Sequence, residues 1–85
     1  MQFHVYVLWS IRLAKTYVGM TSNLEARINA HNLANKGWTL RGRPWQLIYS
    51  ETFRDKSSAL LREKYFKSGV GRQFIQTIIK SKNLR

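Results

Sequence analysis

The acidic residues are few enough to be questioned one at a time. Four occur in 85 residues, Glu25, Glu51, Asp55 and Glu63, against 15 lysines and arginines. Glu25 holds the reciprocal place in a capping box, Ser22-Asn23-Leu24-Glu25. Glu51 and Asp55 bracket the exit from an expected strand, where turn or cap duty accounts for them. Glu63 lies mid-helix, with Ala59 at i−4 and Phe66 at i+3 on its side, so it borders the expected core face. Two readings stand beside each other. One is a solvated ion pair with Lys67 at i+4, worth ~0.3–0.5 kcal/mol. The other is a hard oxygen ligand for Mg²⁺, an ion often held by one or two carboxylates plus phosphate oxygens. Arg27 and His31, spaced i, i+4, project from one side of a helix that also carries Leu24 and Ile28. They read either as a covering arginine stem and a half-exposed imidazole, or as a phosphate-gripping guanidinium beside a proton-handling group. Tyr6 and Tyr17 sit on two expected strands, as ordinary packing or as phenols whose ionisation positive charge would favour.

A single sheet with helices has to bring these side chains together. Phe3 to Trp9 is β-branched and aromatic and predicts a strand; Thr16 to Gly19 predicts its hairpin partner after a polar connection, Ser10 to Lys15. Ser22 is the expected N-cap of the helix carrying Arg27 and His31. A loop over Asn35 to Arg43 leads through Pro44 into a third strand, Trp45 to Tyr49. Lys36, Trp38, Arg41 and Arg43 cluster in that loop, which suits a phosphate-contacting surface with an aromatic for stacking. Asp55 to Ser58 supplies caps for a helix from about Ser58 to Lys67, with Gly69 as a left-handed C-cap. A last helix, near Arg72 to Lys82, carries Phe74, Ile75, Ile78 and Ile79 on one stripe. Lys64, Lys67, Lys80 and Lys82 read as solvated helix faces. The order β-β-α-β-α-α predicts an α+β fold, a small three-stranded antiparallel sheet flanked by helices.

Length allows one domain, residues 1–85. The net charge of +11 directs attention to polyanions, nucleic acid or anionic membrane. A membrane-surface role would need one long amphipathic helix, and none emerges from the pattern. The absence of cysteine excludes a disulfide framework, a cysteine-ligated zinc site and a thiol nucleophile. The longest apolar run, Val5 to Trp9, is far short of the ~20 residues that span a bilayer. With no charged leader before it, the expectation is a cytoplasmic protein without a membrane partner, monomeric by default.

Order and spacing together resemble one family. His4-Val5-Tyr6, then Tyr17-Val18-Gly19, then Asn23 to Asn32, is similar to the opening of the GIY-YIG nuclease domain. The loop Gly37 to Trp45, the run Ala59 to Lys64 and Lys67-Ser68-Gly69 continue the likeness, which covers essentially the whole chain. The resemblance implies a stand-alone member without appended DNA-targeting domains. It implies that Tyr6 and Tyr17 are the motif tyrosines, with Tyr17 the better placed to help deprotonate a water. Arg27 would steady the scissile phosphate, His31 would transfer a proton or contact phosphate, and Glu63 would bind one divalent metal, Mg²⁺ or Mn²⁺. Gly19 would let strand and helix N-terminus approach closely. Three positions depart from the family pattern: His4 replaces the first motif's glycine, Met20 replaces a lysine of the excision-repair relatives, and Ile75 stands where many members carry asparagine. The implied function is a metal-dependent DNA endonuclease in repair, recombination or processing, acting on branched or damaged DNA, with RNA also open. The alternative is a nucleic-acid-binding module on the same fold that has lost catalysis.

Overall fold

The apolar run near the start of the chain becomes the middle strand of a sheet. In the computed structural model, which describes residues 2–33 and 37–84, β1 (Phe3–Ser10) lies between β2 (Lys15–Thr21) and β3 (Trp45–Phe53). The order is β2-β1-β3 and both pairings are antiparallel. A central strand covered on both faces has no solvent side with which to alternate, so Val5 through Ser10 are all buried. Val5, Val7 and Trp9 face α2 (Lys56–Phe66) and α3 (Gly69–Ser81), which close that side with Ala59, Phe66, Ile75 and Ile79. Tyr6 and Leu8 face the opposite way, among Trp45, Tyr17 and the Leu24 and Ile28 side chains of α1 (Leu24–Leu33). The predicted α+β order is present, with one short 3₁₀ turn added at Trp38–Gly42 inside the expected loop.

Local chemistry sets the element ends, in places differently from the expectation. The hairpin needs no Asn-Gly pair because Ser10 pairs with Lys15 across a four-residue loop, and Ala14 takes the left-handed conformation there (φ 52°). Asn23, not Ser22, caps α1: its Oδ1 accepts from the Ala26 amide at 3.1 Å. Thr21 Oγ1 in turn accepts from the Asn23 amide at 3.1 Å, which fixes the cap residue against the end of β2. Asp55 caps α2 as expected, accepting from the Ser58 amide at 2.7 Å. Gly69 is not a left-handed C-cap. It opens α3, which Ser68 caps by accepting from the Gly71 amide at 3.4 Å, so this helix starts three residues earlier than the apolar stripe suggested. A side chain at Gly71 would strike the Tyr65 carbonyl, and its absence lets α3 turn directly off the end of α2. β3 runs four residues past Tyr49, because Ser50 to Phe53 continue to pair with β1.

Candidate active site

Cross-strand register brings the two tyrosines together. Tyr6 on β1 is paired with Gly19 on β2, and Leu8 with Tyr17, so the two phenols are diagonal neighbours on one face of the sheet. Their ring centroids stand 6.2 Å apart with planes 29° from parallel. The Tyr6 ring extends over Gly19: a Cβ there would lie 2.5 Å from Tyr6 Oη and 3.1 Å from the Tyr17 ring. The expectation that Gly19 admits a helix N-terminus is therefore corrected. It admits the Tyr6 phenol.

Helix α1 crosses this face and adds two groups one turn apart. His31, near its end, is buried, with Nε2 3.2 Å from Tyr6 Oη and its ring edge-on to Tyr17 at 4.6 Å between centroids. Arg27 is exposed on the same side, and its cation acts on both Tyr6 and His31. The Asn32 side chain ties the end of α1 to the start of β3, accepting from the Trp45 amide at 2.6 Å and donating to the Trp45 carbonyl at 3.1 Å. Sequence reasoning assigned Asn32 no role. The only signal it offered was an amide side chain in the last turn of a helix, where such residues are poor helix formers and good local hydrogen bonders.

Burial decides the ionisation of Tyr6 and His31. Tyr6 is 0% exposed and its phenol is pushed up to about 12, by desolvation first, then by Tyr17 and the Glu63 carboxylate, against the opposing pull of Arg27. The expectation that surplus positive charge would favour a phenolate fails at Tyr6, because loss of water outweighs one nearby guanidinium. His31 is held below its ordinary value, mainly by burial and then by Arg27. Near neutral pH the pair is thus a protonated phenol and a neutral imidazole. The assignment that satisfies both has Tyr6 donating its O–H to Nε2, with the ring proton on Nδ1.

Glu63 comes from α2, on the opposite layer, and acts on Tyr6 through space. Its carboxylate accepts from Lys67 Nζ at 2.9 Å, the i+4 pair foreseen in the simpler of its two readings, yet its side chain is only 21% exposed. One turn of that helix is braced from β3: Arg62 donates twice to Glu51, at 2.7 and 3.0 Å, and its guanidinium lies 4.5 and 4.6 Å from the Tyr65 and Phe66 ring centroids. Glu51 is therefore a brace residue inside β3, not a turn residue. Among the described residues no group of three or more His, Cys, Asp or Glu side chains is placed to hold an ion. A lone carboxylate fits an ion that keeps most of its water and finds its other anchor on phosphate, as Mg²⁺ does; it does not fit a protein-caged ion such as structural zinc.

The expected nucleic-acid loop is only partly available. Lys36 lies outside the described residues, as does the side chain of Trp38, whose backbone opens the 3₁₀ turn. Arg41 is exposed. Arg43 is half-buried and donates from Nη1 to the Asn32 carbonyl at 3.3 Å, so part of its capacity goes to holding the loop against α1. Ile75, at the position of the missing asparagine, is 2% exposed and belongs to the core under α3. Among the described residues no helix is long and apolar enough to cross a membrane.

Comparison with known proteins agrees with this fold. The chain is 40% identical over 83 residues to a UPF0213 protein of Clostridium perfringens, covering 96% of this chain and 87% of that one. It is 44% identical over 64 residues to a UPF0213 protein of Staphylococcus haemolyticus, covering 73% and 77%. The solution NMR structure of a UPF0213 protein from Bacillus halodurans superposes with a TM-score of 0.57 at 26% identity, over 92% of this chain and 85% of that one. A family model described as the GIY-YIG catalytic domain matches residues 2–76, which takes in Tyr6, Tyr17, Arg27, His31 and Glu63. By that match the chain belongs to the GIY-YIG family of nuclease domains.

Proposed function

We propose that this protein is a DNA endonuclease that hydrolyses phosphodiester bonds with one divalent ion, Mg²⁺ or Mn²⁺, held by Glu63, in DNA repair, recombination or processing. The reading rests on one observation above all. Tyr6, Tyr17, Arg27 and His31, from β1, β2 and α1, gather around one buried phenol, and the Glu63 carboxylate on α2 acts on that phenol through space. When bound, the ion supplies Lewis acidity at a phosphate oxygen. Arg27, exposed and charged, grips the scissile phosphate and offsets the charge that builds on it. Tyr6 stays protonated and is a positioning residue: its O–H fixes the His31 ring. His31 then offers Nδ1–H to a phosphate oxygen. Tyr17, half-buried at the open side of the cluster, accepts a hydrogen bond from the attacking water and helps its proton pass to solvent. The water oxygen bonds to phosphorus as the ester P–O bond breaks, and the leaving oxygen takes a proton from solvent.

A second reading, a binding module on this fold that does not cut, draws on Ile75. Its side chain is apolar and buried in the core, so that position offers a substrate no polar contact. Purified protein incubated with linear, nicked, flapped and branched DNA decides between them. The enzyme reading expects cleavage with Mg²⁺ or Mn²⁺ that EDTA abolishes. Binding without metal-dependent cleavage on any of these substrates rules it out.

A further inference from the structure

We propose that the cleft beside the catalytic cluster, between β2 and the junction of α2 with α3, is the track along which the phosphates of the cut strand run, contacted by Lys15, Lys67 and Arg72. The proposal takes its occupant, a phosphodiester strand, from the nuclease reading, and adds where that strand lies.

A cavity of about 760 Å³ opens there. Tyr17 is among the residues lining it, on the edge strand between Thr16 and Val18, while its phenol faces the cluster on the other side of the sheet. Lys15 stands two residues before Tyr17, on the same face of the edge strand β2. Lys67 comes from the end of α2 and Arg72 from the first turn of α3. Among the described residues no acidic one lines the cleft. Lys67 also touches Glu63, so the row of cations starts at the expected metal ligand and leads away from it.

The charge has nowhere else to go. Glu51 is taken by Arg62, Asp55 by the cap of α2 and Glu63 by Lys67, while Glu25 sits exposed in the first turn of α1. Among the described residues Lys15 and Arg72 have no ion-pair partner. Cations from three elements around one concavity, floored by Val18, Phe66 and Ile75, repel one another and focus a positive potential. A small anion would neutralise one of them. A chain of phosphates meets all three, and its counterions leave as it does. Sequence reasoning put Lys67 among solvated lysines and gave Lys15 and Arg72 no role, because their juxtaposition depends on how α3 turns off α2.

The test measures binding of fluorescein-labelled DNA oligonucleotides, single-stranded and duplex, by anisotropy over a range of salt, in EDTA so that no cleavage intrudes. The Lys15→Gln/Arg72→Gln double variant is compared with wild type and with Lys80→Gln/Lys82→Gln at the far end of α3. The expected result is a salt slope shallower by about 1.4 for a single strand or about 1.8 for duplex in the cleft variant, from two contacts at ~0.7 or ~0.9 each. The far-end variant keeps the wild-type slope. An unchanged slope in the cleft variant, or equal changes in both, overturns the proposal. Cleavage by wild type alongside an unchanged slope removes the cleft and leaves the nuclease; a reduced slope in a protein that cuts nothing keeps the cleft and removes the nuclease.

Discussion

Substituting Gly19 by alanine separates two accounts of that residue by sign. Glycine inside a strand costs roughly 0.5–1 kcal/mol relative to alanine, so in open space Gly19→Ala would stabilise the protein by that amount. The structure predicts the reverse. The new Cβ would stand 2.5 Å from Tyr6 Oη and 2.6 Å from Cζ. Ordinary contact begins near 3.4 Å, so the phenol has to retreat by 0.9 Å (3.4 − 2.5). Tyr6 is fully buried and tied to His31 at 3.2 Å, and a retreat of that size breaks the bond or displaces the imidazole. Overpacking of this kind costs about 1–3 kcal/mol, which for a domain of this size lowers Tm by roughly 4–24 °C. Thermal unfolding followed by circular dichroism reads the change. A double-mutant cycle identifies its cause, because in a Tyr6→Leu background the clashing atoms are gone and Gly19→Ala should be close to neutral. A raised Tm in the single variant, or the same loss in the Tyr6→Leu background, refutes the packing account.

Other outcomes follow from the same contacts. His31 is held below its ordinary 6.5 in the fold, so between about pH 6.5 and its folded value the unfolded chain binds the extra proton and stability falls on acidification, by up to about 1.4 kcal/mol per pH unit. His31→Gln should flatten that part of a Tm-against-pH curve, whereas the depressed carboxylates Glu51 and Asp55 act only at lower pH. Asn32→Ala removes both bonds to Trp45 and should cost about 1–3 kcal/mol in urea unfolding, with His31 loosened as a consequence. Glu51→Gln should cost about 1 kcal/mol, and Arg62→Lys should lose nearly as much despite keeping the charge, since a lysine cannot make the paired contact.

The elements were legible where one residue type speaks for itself. The run Val5 to Trp9 could hardly be anything but a strand, Asp55 sits where a cap belongs, and i, i+4 spacing alone puts Arg27 and His31 on one side of a helix. What escaped depends on relations between elements. Ser22 and Asn23 are equally good caps in sequence, and the choice fell to Asn23 because Thr21, at the end of β2, holds its amide. The purpose of Gly19 is set by the pairing of Tyr6 with Gly19, a register that no local pattern carries. The same holds for the ionisation of Tyr6. The chain's excess of lysine and arginine promised positive charge, but the layer above it removed the water, and the second effect is larger. Glu63 was legible as an exception among the acids, and the simpler of its two readings, the i+4 pair with Lys67, is present.

The central claim is that Glu63 serves the chemistry and not the grip on nucleic acid. The most direct test compares Glu63→Gln with wild type on one labelled DNA substrate, measuring Mg²⁺-dependent cleavage and, in EDTA, affinity for the same DNA. The account predicts that cleavage is lost while binding stays within a few-fold of wild type. Undiminished cleavage by Glu63→Gln, or loss of binding and cleavage together in a variant that still folds, would contradict it.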